Sequence, residues 1–345
     1  MMTTTYELDT NGDPIDALQG FLGAVWQEAG LQTMLVPAES SSHKPGIPVL
    51  IDEPNDLTKV NPFKPVMSLN AARQIPALKS AKQGSTMAAL LRPCEMRALI
   101  EMVKHDSFTI DDLVTISSDC LGTFPESDFS WRADRKGSAA NLSQETLQFA
   151  RQGGLMAYRY RSACQLCQQP DAVSADINIG VIGLPVRKSI LINAKDKASA
   201  ERYQLVKHTS RPASDRLIEM HSTMLAKLAE RRVRTQERVL LGLGDVLPAD
   251  VDELILQLKS CGDCSECLNN CPICETAYPQ RGTDGDYIHQ DIVSWLISCA
   301  GCGMCEQACP NHQPLAAIFK HLRQQLAAEY DYQPGLSLSD PLPVH

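Results

Sequence analysis

The sequence predicts an α/β protein, with an open, mostly parallel sheet over residues 1–245 and a small cysteine-bound domain over 246–345. Three observations carry that expectation. Short apolar runs of strand length alternate with helical periodicity through the first two thirds of the chain. Gly242-Leu243-Gly244 then breaks the pattern. Beyond the break fall nine of the thirteen cysteines.

Asp13-Pro14 reads as a helix start, with Asp as N-cap and Pro in the first turn. Leu18, Phe21, Leu22, Val25 and Trp26 then recur at helical spacing up to Gly30. Met34–Val36 and Val49–Ile51 read as short buried strands, and the Ser-Ser-Ser-His-Lys-Pro-Gly stretch between them as a loop. Met87–Leu91 is a strand that turns at Arg92-Pro93 into a helix carrying Cys94 at its start, where the positive end of the dipole favours a thiolate. Leu113–Ser117 is the next strand, and it runs directly into Asp119-Cys120-Leu121-Gly122-Thr123. Cysteines just past strand ends suit an open α/β sheet, which gathers its chemistry at the carboxyl edge. Glu126–Ser143 is polar and reads as an exposed excursion. Ile177–Leu184 and Ser189–Ile192 pair about a turn at Pro185. One long helix is expected from Asp215 to about Arg238, ending in a basic patch of Arg231, Arg232, Arg234 and Arg238. That patch reads either as a solvated face or as a docking face for an acidic partner or a phosphate-bearing cofactor. Asp250 with Glu253 forms a capping box for the helix that leads to Cys261.

The C-terminal cysteines carry the most specific signal. Cys261, Cys264, Cys267 and Cys271-Pro272 are spaced C-x2-C-x2-C-x3-C-P, and the spacing returns at Cys299, Cys302, Cys305 and Cys309-Pro310. This is the ligand pattern of a bacterial-type dicluster ferredoxin, in which the fourth cysteine of each run serves the other cluster. One 4Fe-4S cluster then takes Cys261, Cys264, Cys267 and Cys309. The second takes Cys299, Cys302, Cys305 and Cys271. Paired zinc knuckles would leave the third cysteine and the proline of each run without a role. A disulfide framework is not spaced this way, and the N-terminus lacks the basic start and apolar core of an export signal.

Four cysteines outside the repeats, Cys94, Cys120, Cys164 and Cys167, fall near turns in three segments. A lone cysteine is by default a buried thiol. Four together, in a chain that handles clusters, point to a third 4Fe-4S site. Cys274 is left over, as an inert thiol or an alternative ligand near the second cluster.

The net charge of −9 argues against nucleic acid or an anionic membrane as the main partner. No stretch reaches the roughly 20 apolar residues of a membrane helix, so the chain is not expected to span one. A reducing cytoplasm is the expected compartment, with the chain free or in a membrane-associated complex. There is no nucleophile elbow, no P-loop, no G-x-G-x-x-G and no H-E-x-x-H, which leaves hydrolase, NTPase and ordinary dinucleotide-dehydrogenase readings without support.

At Leu91-Arg92-Pro93-Cys94-Glu95-Met96-Arg97-Ala98, Ser118-Asp119-Cys120-Leu121-Gly122-Thr123 and Ala163-Cys164-Gln165-Leu166-Cys167, the sequence resembles the beta subunits of coenzyme F420 hydrogenase and of formate dehydrogenase. The form it resembles carries a dicluster ferredoxin at its C-terminus. The ending from Cys309-Pro310 to Gly335-Leu336 is similar too. The resemblance implies an iron-sulfur, often flavin-containing, redox subunit beside a formate dehydrogenase, hydrogenase or heterodisulfide reductase type partner. It also implies that the cysteines of the α/β domain hold a cluster close to the flavin. Where flavin-binding members commonly carry paired glycines, this chain reads Met67-Ser68-Leu69-Asn70-Ala71-Ala72-Arg73.

Two functions follow from these readings. The first is an electron-transfer subunit relaying electrons between a catalytic partner and a flavin, ferredoxin or heterodisulfide-reductase-like acceptor, with no residue acting as acid or base. The second is an FAD-containing enzyme that reduces or oxidises a hydride carrier such as F420 itself. In that case Arg92, Gly122, Thr123 and Gly183 would line the flavin pocket.

Overall fold

The computed structural model describes residues 4–38, 46–82, 84–105, 108–154 and 159–344. Of the loop expected between the second and third strands, residues 40–45 lie outside the described residues. The chain opens with β1 (Thr5–Asp9) and α1 (Pro14–Glu28). Asp13 caps α1 as expected, its carboxylate accepting the N–H groups of Ile15 and Asp16. There follow β2 (Thr33–Pro37), β3 (Pro48–Ile51), α2 (Ile75–Ala81), β4 (Met87–Leu91), α3 (Pro93–Lys104) and β5 (Leu113–Ser118). Next come α4 (Glu126–Lys136), α5 (Ala139–Gln148), α6 (Ser162–Leu166), β6 (Ile177–Gly180) and β7 (Ser189–Ala194). Short helices α7 (Lys197–Arg202) and α8 (Leu205–His208) lead to β8 (Arg211–Pro212) and the long α9 (Asp215–Leu243). The cysteine-rich end carries α10 (Val251–Lys259), α11 (Glu266–Asn269), α12 (His289–Ile297), α13 (Met304–Ala308) and α14 (Leu315–Tyr330).

The eight strands form one sheet in the order β3-β2-β4-β5-β6-β7-β1-β8. The expectation of a mostly parallel sheet is corrected. Only the centre, β2 with β4, β4 with β5 and β5 with β6, runs parallel, and every pairing outside it is antiparallel. The cause is connection length. A parallel neighbour needs a crossover, whereas the short turn at Pro185, whose carbonyl accepts Lys188 N–H, can only bring β7 back antiparallel to β6.

A second correction concerns Glu126–Ser143, expected as an excursion and found in α4 and α5. Gly137 ends α4 with φ 81°, a left-handed conformation that glycine adopts freely, and the Ser138 hydroxyl caps α5 by accepting Asn141 N–H. Few apolar residues mark the two helices. Phe129 and Leu142 suffice to pin them against Val66, Phe124 and Tyr160.

Strand alternation divides the core between the two faces of the sheet. Met34, Val36, Ala88 and Leu90 face α1, where Leu18, Leu22, Val25 and Trp26 are buried. Leu35, Ala89 and Leu91 face α3. There Leu99 and Ile100 share one core with Leu254, Trp295, Leu296, Phe319 and Leu322 of the cysteine-rich end. The C-terminal segment thus closes the second face of the sheet.

Candidate iron-sulfur sites

The carboxyl ends of β4 and β5 assemble the third group of cysteines, the one outside the two repeats. Arg92 caps α3, and the Glu95 carboxylate reaches back to accept Arg92 N–H at 2.7 Å. Glu95 also accepts Ala71 N–H at 3.2 Å, tying the turn that presents Cys94 to the neighbouring loop. Past β5, the Asp119 carboxylate accepts the N–H groups of Ala172, Val181 and Ile182 and pairs with His221 Nε2 at 2.7 Å. Cys120 N–H donates to the Pro170 carbonyl at 2.8 Å, which fixes it to the segment carrying Cys167. Thr123 Oγ1 stands 3.3 Å from Cys164 Sγ.

Three separate segments thereby bring Cys94, Cys120, Cys164 and Cys167 together. Their charges act on one another. Burial, then Cys164, pushes the Cys120 thiol up to about 12. Burial, then Glu95 and Cys120, raises Cys94 well above the usual thiol range. At Cys94 burial thus works against the helix dipole that favours a thiolate there. Burial would raise Cys164 too, but the Arg161 guanidinium, the Thr123 hydroxyl and Arg232 reverse it, and its pKa is lowered.

Two further groups lie in the C-terminal segment. Cys261, Cys264, Cys267 and Cys309 line a single cavity with Leu258, Tyr287 and Pro310. Burial, then Cys261, lifts Cys267 to about 12, and Cys309 and Cys264 add to it. Cys271, by contrast, sits with the second run. Burial, then Cys271, raises Cys302 to about 12, and Cys305 is raised by burial and then by Cys299, Cys302 and Cys271. The last cysteine of each run has crossed to the other's company. Cys274 is buried beside Cys271 and donates its S–H to that sulfur, which with the Trp295 N–H at 3.2 Å lowers Cys271 to about 7 despite burial.

The groups stand in file. Cys267 acts on Cys305, and Cys302 packs in one apolar cluster with Met67, Met304 and Cys94. Among the described residues no three His, Cys, Asp or Glu side chains converge on a single-ion site. In a cubane each thiolate binds a different iron.

Two orphaned buried donors fit such groups. Asn70 turns its Nδ2, which has no other partner, to the Cys302 sulfur. Arg232 holds a buried, unpartnered Nη1 within a side chain whose charge is felt at Cys164. Sulfide and thiolate sulfur accept hydrogen bonds, and the charge of a thiolate-bound cluster offsets a buried cation. Arg232 thus leaves the basic patch read from sequence, while Arg231, Arg234 and Arg238 stay exposed.

The four residues expected around a flavin have protein partners here. The Arg92 guanidinium donates to the carbonyls of Lys64 and Val66, at 2.9 and 2.8 Å. Gly122 (φ 105°) lies against the Tyr160 ring, and Thr123 Oγ1 accepts Arg161 Nε–H. A Cβ at Gly183 would stand 2.6 Å from the Met220 carbonyl oxygen on α9.

No protein-family model matches the chain. It is 22% identical over 335 residues to the F420-dependent formate dehydrogenase subunit beta of Methanocaldococcus jannaschii, a match covering 86% of this chain and 85% of that one. It shares the fold of a chain in the F420-reducing NiFe hydrogenase complex of Methanosarcina barkeri. There the TM-score is 0.51 at 12% identity, covering 69% of this chain and 91% of the other. The chain is a distant homologue of the formate dehydrogenase subunit and shares the fold alone with the hydrogenase-complex chain.

Proposed function

We propose that the chain is an iron-sulfur electron-transfer subunit of a multi-subunit oxidoreductase. The carrying observation is the three groups of four cysteines in file, with Cys271 and Cys309 exchanged between the two runs. Loaded with 4Fe-4S clusters, such sites supply one-electron transfer over a range of potentials. The protein's part is to hold the thiolates, exclude water and aim donors at sulfur. Trp295, Asn70 and Arg161 do this at the second and third groups. The distant likeness to an F420-dependent formate dehydrogenase beta subunit supports a partner of formate dehydrogenase or hydrogenase type. Among the described residues no helix is long and apolar enough to cross a membrane.

Iron, acid-labile sulfide and flavin per chain in anaerobically purified protein test the reading. About twelve irons, four per cubane, are expected. About eight would remove the third site, and one flavin per chain would favour the flavoenzyme alternative.

A further inference from the structure

Arg161 lies between two of the cysteine groups and touches both. Its Nη2 donates toward Cys164 Sγ at 4.0 Å and to the Cys302 carbonyl at 3.3 Å. Nη1 donates to Gln307 Oε1 at 2.9 Å and faces Met304 Sδ, while Nε–H is held by Thr123 Oγ1 at 2.9 Å. The side chain is 8% exposed. Among the described residues it has no carboxylate ion pair; Glu126 feels its charge without forming one, and the sulfurs whose ionised forms act on it are Cys164, Cys94 and Cys302.

A buried guanidinium without a carboxylate is costly unless another anion stands beside it. Here, once their thiolates bind iron, two cysteine groups supply that anion at contact distance, one from the sheet edge and one from the C-terminal segment. We propose that Arg161 is a shared counter-charge for the second and third iron-sulfur sites, setting their reduction potentials together. The inference rests on the relay reading above. A cation favours the more negative, reduced state of a thiolate-bound cluster, so Arg161 raises both potentials at once. A shift common to both leaves the difference between them unchanged, so the pair moves together relative to the rest of the file. Its fork geometry suits this, since one planar group offers donors in several directions where a lysine offers a single point of charge.

The test is an EPR-monitored redox titration of holoprotein carrying Arg161→Gln, with iron counted in every sample. Two of the three midpoint potentials are expected to fall, each by about tenfold in the oxidised-to-reduced ratio, or about 59 mV for one electron. The third stays at its parent value. Arg161→Lys keeps a charge that cannot span both groups, so one of the two potentials is expected to fall and the other to hold. The lysine variant decides the matter if the glutamine variant does not load. Arg281→Gln serves as a control: Arg281 donates to the Gly262 carbonyl beside the first group, and only one potential should move, the one Arg161→Gln leaves alone. Twelve irons with all potentials unmoved would overturn the inference and leave the relay reading standing. So would a variant that loses iron while its loaded fraction titrates as the parent does, since that marks a structural clamp. Eight irons in the parent would overturn the third site, and the bridge with it.

Discussion

Trp295 and Cys271 show what one side chain can contribute. The indole N–H donates to the Cys271 sulfur at 3.2 Å while the ring packs edge-on against Phe319, with centroids 4.8 Å apart. A Trp295→Phe variant keeps much of the packing and loses the donor. Hydrogen bonds to charged groups stabilise by about 1.5–3 kcal/mol, and the reduced cluster, being more anionic, loses more than the oxidised one. The potential of the second site is therefore expected to fall, by roughly 1 kcal/mol of reduction free energy, in an EPR-monitored titration; an unchanged potential would mean that the contact does not bear on the cluster. Glu101 makes the corresponding case for stability. Fully buried on α3, it accepts the Tyr332 hydroxyl at 2.7 Å, Gly335 N–H at 2.7 Å and Lys104 Nζ at 3.0 Å. Tyr332→Phe leaves that carboxylate one donor short, at an expected cost of about 1–3 kcal/mol, read as a lower urea midpoint for the loaded protein. At this scale the sequence is legible where chemistry is local. The C-x2-C-x2-C-x3-C-P spacing names eight candidate ligands because three ligands of each cluster lie within a few residues of each other and the fourth closes the other run just before its proline. Arg161, Asn70 and Trp295 carry no such signal: Arg161 meets Cys302 across 141 residues and Trp295 meets Cys271 across 24. Arg232 was misjudged with its exposed neighbours, since composition does not say which face of a helix is covered.

Elements were legible where apolar periodicity was strong and obscure where few apolar contacts suffice. α1, β4, α3, β5 and α9 follow the expected ranges closely, and the β6–β7 pair forms about Pro185 as its turn residue requires. The antiparallel flank was hidden because β1 lies far in sequence from β7 and β8, which it joins. That edge has its own electrostatics. Arg211 on β8 donates to Glu7 at 3.0 Å and Asp9 at 2.6 Å on β1, and this contact with Arg211 is the main cause that lowers the Glu7 pKa. A carboxyl lowered in the folded state contributes stability above its unfolded pKa, about 4.3, which is lost as pH falls through the folded value. Hydrogen exchange of the segment holding β8, corrected for intrinsic rates, should therefore show protection above that pH that declines below it. Arg211→Gln should flatten the decline, and because Arg211 is more than half exposed the difference should be small. Equal profiles for parent and variant would show that the pair does not hold the edge.

The cysteine-rich end shares a core with the sheet face and α3. Leu35, Leu91, Leu99 and Ile100 pack in the same cluster as Leu254, Leu296, Phe319 and Leu322. Burying each such side chain is worth about 1.5–3 kcal/mol, and neither part keeps that contribution alone. The join is close as well. Gly303 (φ 71°), beside Cys302, has no room for a Cβ against Ala163 on α6, and Gly335 (φ 76°) has none against Arg97 on α3. A bacterial-type dicluster ferredoxin read from spacing alone suggests a piece that folds unaided. Here residues 246–345 expressed alone are expected to lose protection from proteolysis and to hold iron poorly, because the fragment would expose the faces of α10, α12 and α14 that the sheet side covers. Co-expression with residues 1–245 should restore both. A fragment that reconstitutes about eight irons by itself and resists protease would show that the shared core is an interface between two autonomous domains. The coupling matters to an electron carrier, because the second and third cysteine groups meet across this junction, at Cys302 and Cys94. A rigid shared core holds those two groups at one separation where a flexible linker would let it vary, so the same apolar contacts that stabilise the fold would also fix the rate of transfer between them.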